Sequence, residues 1–155
     1  MRHLAYLGFM ILIAALVFLL MLYVEWPMIL EPRVVPSNNL DLQDWLLRFS
    51  NLAFYGIVAS AAASLLWYVL GQWFFKVDDW RKANQRVIWG LLVFVPFLSF
   101  ALSWFLTPPA QEGHFFAYIC YLVNNLVIYI LATVLFSPAA YKYTPLGASA
   151  IRRYW

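Results

Sequence analysis

Four long apolar runs, broken by short polar stretches, set the pattern of this chain. They cover residues 4–24 (LAYLGFMILIAALVFLLMLYV), 52–75 (LAFYGIVASAAASLLWYVLGQWFF), 87–107 (VIWGLLVFVPFLSFALSWFLT) and 115–137 (FFAYICYLVNNLVIYILATVLFS). A helix crosses the hydrocarbon core of a bilayer with about 20 mostly apolar residues. Each run meets that length, and none contains Asp, Glu, Lys, Arg or His. The predicted fold is therefore an all-α integral membrane protein. Its 155 residues form one four-helix transmembrane domain, ending in a tail over 138–155. The first run is too long for the apolar part of a cleaved signal peptide, and no small-x-small site follows it before Trp26. It reads as an uncleaved anchor.

Composition agrees. The chain is 65% hydrophobic and 11% charged, whereas soluble domains are nearer half apolar and a quarter charged. A water-soluble fold of this size has too little interior to hide so much apolar surface, so the lipid bilayer is the expected partner. The net charge of +3 raises nucleic acid as a partner, but the basic residues flank the spans, where the positive-inside rule puts them. No nucleic-acid partner is expected. With the N-terminus inside, the inner segments hold Arg2, Lys76, Arg81, Lys82, Arg86, Lys142, Arg152 and Arg153, and the outer ones only Arg33 and Arg48. This imbalance predicts that both termini are cytoplasmic. Tryptophans fall at the matching interfaces: Trp26, Trp45 and Trp104 outside, Trp73, Trp80 and Trp89 inside. The expected location is a plasma membrane, a bacterial inner membrane in particular.

The breaks differ in character. The outer loop over 25–51 opens with Pro27, Pro32 and Pro36, then reads SNNLDLQDWLLRFSN. Asn38 or Asn39 suits a helix cap and Asp41 its first turn. Leu42, Trp45, Leu46 and Phe49 share one face at helical spacing. They predict a short interfacial helix in the outer headgroup region, or a docking surface for an external partner. The inner loop over 76–86, KVDDWRKANQR, mixes both signs and extends the neighbouring helices. The seven-residue PPAQEGH break makes the third and fourth spans antiparallel neighbours. The tail's Arg-Arg-Tyr-Trp end suits anionic headgroups or a partner.

Within the spans, three features stand out. Gly56, Ser60 and Ser64 repeat every four residues, and Ala59 and Ala63 form a neighbouring small row. Small residues let helix backbones approach closely in lipid, either inside the monomer or against another subunit, a homo-oligomer included. Pro96, in the middle of the third span, removes a backbone hydrogen bond and predicts a kink. Asn124 and Asn125 lie near the centre of the fourth span, where an unsatisfied amide is costly. Successive helical residues point about 100° apart, so one neighbouring helix cannot serve both. Ser60, Ser64 and Ser99 are candidate partners for one. The other then faces a cavity, a ligand or a partner subunit.

Candidate catalytic chemistry is sparse. The acidic residues Glu25, Glu31, Asp41, Asp44, Asp78, Asp79 and Glu112 all read as loop or span-end positions. Asp78 and Asp79 are adjacent but sit among Lys76, Arg81 and Lys82, the composition of a solvated loop. His3 and His114 are expected at opposite faces of the bilayer, so they cannot ligate one haem. Cys120 is the single cysteine, which excludes an internal disulfide and a thiolate cluster. No Asn-x-Ser/Thr sequon and no phosphate-binding glycine loop occurs. No cofactor, metal or catalytic residue is expected, and no motif carries a resemblance to a known family. The expected role is a non-enzymatic structural or accessory subunit of a multiprotein plasma-membrane assembly. The alternatives are a stand-alone immunity-type membrane binding protein and a small oligomeric transporter or channel built around the Asn pair.

Overall fold

The computed structural model describes residues 2–25, 27, 40–70, 81–108 and 112–135. These residues are helical throughout except for the turn at Thr107 and Pro108. In chain order they form α1 (Arg2–Leu20), which runs on through a π-helical turn (Met21–Glu25), then α2 (Leu40–Val69), α3 (Arg81–Leu106) and α4 (Glu112–Leu135). Four segments are long and apolar enough to cross a membrane: Tyr6–Glu25, Leu47–Val69, Gln85–Leu106 and Phe115–Leu135. The described residues thus form an all-helical fold with four helices long and apolar enough to span a membrane, which suggests a multi-pass membrane protein.

The four helices do not share the interior equally. In α2 and α4, 44% of the most apolar window is buried, against 22% in the first span and 11% in α3. The core therefore lies along the α2–α4 contact, and α1 and α3 flank it. Phe49, Ala53 and Ile57 of α2 meet Ala117, Tyr118, Tyr121 and Ile128 of α4, with Ile13 and Met21 closing the side formed by the first span. Outward faces carry large apolar residues instead. On α3 they are Val87, Leu91, Phe94, Leu98, Leu102 and Phe105, a spacing that averages one helical turn. That is the surface lipid or another membrane helix requires.

Polar contacts fasten the two ends of the bundle. At one end the Tyr6 hydroxyl donates to the Ser64 carbonyl at 2.9 Å, and the Tyr6 ring stacks on Tyr68 with centroids 3.9 Å apart. Nearby, Trp89 Nε1 donates to Thr133 Oγ1 at 3.1 Å, and the Tyr129 hydroxyl donates to the Trp89 carbonyl at 2.8 Å. At the other end, the Tyr118 hydroxyl lies 3.0 Å from the Ser103 carbonyl and 2.7 Å from Thr107 Oγ1, beside the Thr107 carbonyl. Here α3 stops: Thr107 N still donates to the Ser103 carbonyl at 2.9 Å, but Pro108 has no N–H to continue the ladder. The short connection to Glu112 leaves α3 and α4 as packed neighbours.

Two expectations change here. The short interfacial helix expected around Leu42, Trp45, Leu46 and Phe49 is not a separate element, because the helix runs unbroken from Leu40 to Val69. Its aromatic side also turns inward. Phe49 is buried, stacks on Trp45 at 4.9 Å and meets the Tyr118 ring edge-on at 5.0 Å, while Trp45 Nε1 donates to the Pro108 carbonyl at 3.3 Å. Burying these rings against α4 removes more apolar surface than laying them in a headgroup layer. The side chains of Leu42 and Leu46 lie outside the described residues, as do the cap at Asn38 or Asn39, the Asp78–Asp79 pair and the tail 138–155. Pro96 is buried inside an α3 that is helical from end to end.

Candidate functional site

Buried polar groups gather around the middle of α4. Asn124 and Asn125 occupy the middle of the 21-residue span Phe115–Leu135, and both are buried, at 6% and 0% exposure. Their surroundings diverge as the 100° step requires.

Asn125 points into the α2–α4 contact. Its Oδ1 accepts from Ser60 Oγ at 2.9 Å, and its Nδ2 donates to the Tyr121 carbonyl one turn back at 2.8 Å. Ser60 is fully buried, so each of the two groups answers the other's need for a partner in an apolar surround. Close approach of the helices makes this possible. At Gly56, one turn before Ser60, a Cβ would meet the Tyr121 hydroxyl and stand 2.6 Å from its Cζ, so the glycine is the space into which the Tyr121 ring fits. Ser64, one turn further, is buried against α1: its Oγ donates to the Ala61 carbonyl at 2.8 Å and lies 3.1 Å from Met10 Sδ. Gly56, Ser60 and Ser64 are thus all used inside the chain, with Ala63 also buried and Ala59 half-buried.

Asn124 turns toward the end of the first span. Its Nδ2 donates to both carboxylate oxygens of Glu25, at 3.0 Å to Oε1 and 2.8 Å to Oε2. Sequence reading places Glu25 at a loop or span end, and the structure puts it at the end of the first span without its lying clear of the bundle. Glu25 closes the span Tyr6–Glu25, and its carboxylate reaches the centre of α4. An acidic group therefore stands at mid-depth in the bundle, where the linear pattern shows no charge. Glu25 is half-buried, and Cys120, one turn before Asn124, is half-buried too. Among the described residues the amide of Asn124 is the partner of this carboxylate, and no cationic side chain is paired with it.

The residues brought together are thus Gly56, Ser60, Asn125 and Tyr121 on one side of α4, and Asn124 with Glu25 on the other. Ser99, a candidate partner for the pair, instead accepts through its carbonyl from Ser103 Oγ at 2.8 Å. Pro96 is buried on α3. The one signal of Glu25's role in the sequence is indirect: two mid-span amides needed two partners in different directions, and the small row supplied only one. Among the described residues no group of three metal-ligating side chains occurs. Comparison with protein families, curated proteins and solved structures returns no match for the chain.

Proposed function

We propose that this protein is a non-enzymatic accessory subunit of a multiprotein assembly in a plasma membrane, a bacterial inner membrane in particular, with both termini cytoplasmic. In this reading it scaffolds or anchors partner subunits through its membrane-embedded surface. The observation that supports it is the contrast along α4. Asn125 is satisfied inside the bundle by Ser60, whereas Asn124 holds a half-buried carboxylate at mid-depth. Charges at that depth are costly and mark functional contacts rather than mere packing.

The test is extraction from native membranes in mild detergent, followed by native-gel mass analysis. A stable complex far above the 18.1 kDa of the chain supports the subunit, and a lone monomer overturns it. The same carboxylate favours a second reading, a small oligomeric transporter or channel in which Glu25 binds the transported cation. Purified protein in sealed vesicles separates the two: cation flux that is lost in Glu25→Gln supports transport, and absence of flux rejects it.

A further inference from the structure

We propose that the Glu25 carboxylate is the docking point for a basic side chain, Lys or Arg, carried at mid-depth by a membrane-spanning helix of a partner subunit. This deepens the accessory-subunit reading and rests on it. Three observations carry the inference.

The first is depth. Asn124 fixes the carboxylate at the centre of α4, 2.8–3.0 Å from its Nδ2. An ionised group there needs a compensating charge, because the hydrocarbon supplies neither water nor counter-ions. The second is incomplete satisfaction. A carboxylate offers about four lone-pair sites. The Asn124 amide takes one on each oxygen and brings no charge, which among the described residues leaves the others for the three donors of Lys or the five of Arg. The third is the surround. Next to Glu25 in the chain, Tyr23 and Val24 are exposed at 75% and 48%, and beside Asn124, Val123 is exposed at 50%. Glu25 itself is half-buried, so its carboxylate borders this apolar outer surface. A soluble cation would have to leave water to reach it. A basic residue on a membrane helix arrives with its own apolar flanks, and those flanks match this surface. Asn124 positions the carboxylate so that its free lone pairs stay available, acting through Glu25.

The experiment uses the full-length protein in lipid nanodiscs and a designed Leu/Ala-rich transmembrane peptide with one central Arg. Association is read by energy transfer between a donor on the protein and an acceptor on the peptide. A peptide with Leu in place of Arg is the control. The Arg peptide should bind the wild type at least about tenfold more tightly than it binds Glu25→Gln, Glu25→Asp should retain part of that preference, and the Leu peptide should not distinguish the variants. Charge reversal guards against a folding defect in Glu25→Gln: Glu25→Lys should favour a peptide with a central Glu over the Arg peptide. Equal binding of the Arg peptide to wild type and Glu25→Gln overturns the proposal. So does Glu25-dependent binding of tetramethylammonium, a water-soluble organic cation, without a preference for the Arg peptide. The subunit reading fails separately. If the wild type yields no large complex from native membranes, that reading falls whatever the peptide does. If Glu25→Gln leaves a native complex intact and the peptide shows no preference, only the docking proposal falls.

Discussion

Asn124 and Asn125 are the same residue, consecutive in the chain and about 1.5 Å apart along the helix axis, yet they do opposite things. Asn125 joins a closed contact in which Ser60, the Tyr121 carbonyl and the Tyr121 ring seated at Gly56 fit together. Asn124 joins an open one, in which an amide meets a carboxylate that still has acceptor capacity. The difference teaches that polarity in the middle of an apolar helix has two uses. A neutral pair satisfied on both sides holds helices together. A carboxyl group held by one neutral amide keeps acceptor capacity for a further partner. Tight packing accompanies the first, and half-exposure the second.

The comparison is broken most forcefully on the closed side. Gly56→Leu should have the largest effect, because even a Cβ collides with the Tyr121 ring. Overpacking of this kind costs on the order of 3 kcal/mol, and thermal unfolding in detergent should show loss of most of the folded protein. Asn125→Leu should come next, at about 1 kcal/mol, within the range measured for interhelical polar contacts, since it leaves Ser60 Oγ without its acceptor on α4. A double-mutant cycle with Ser60→Ala sharpens this: the second substitution should cost less in the Asn125→Leu background than alone. Additive losses would show that the two side chains do not share the bond. Tyr6→Phe removes the 2.9 Å bond to the Ser64 carbonyl but keeps the ring stacked on Tyr68, so its expected loss is about 0.6 kcal/mol. On the open side, Asn124→Leu should cost only about 0.5 kcal/mol, because the Glu25 carboxylate loses its amide donor but is half-exposed, while it lowers retention of partner subunits in pull-down. If Asn124→Leu unfolds the protein as Gly56→Leu does, the two sides are alike and the contrast is lost.

Much of the architecture was legible in the linear pattern, because hydrocarbon imposes a strong rule: a span must be long, apolar and helical. The four helices and the adjacency of α3 and α4 follow from run length and from the brevity of PPAQEGH. Ser60 was legible as a partner for one Asn, because serine in a small-residue row is both polar and close to the next helix. Trp45 and Phe49 were not legible as core. Their helical spacing marks an apolar face but does not say what covers it, and the Tyr118 ring that does so lies on another helix far along the chain. Glu25 was hidden for a related reason. Hydropathy assigns depth by position in the chain, whereas the carboxylate is drawn by its hydrogen bonds to the middle of a helix 99 residues away.

The central claim is that the end of the first span lies against the middle of α4 and not against its start. Cross-linking two introduced cysteines with a reagent about 8–10 Å long, near the reach of two facing side chains across a helix pair, tests it most directly. The background is Cys120→Ala, so that the native thiol does not compete. The pair Glu25→Cys with Asn124→Cys should cross-link readily, and the pair Glu25→Cys with Phe115→Cys, at the start of the α4 span, should not. Efficient linkage of position 25 to 115 with none to 124 would return Glu25 to the membrane surface and contradict the account.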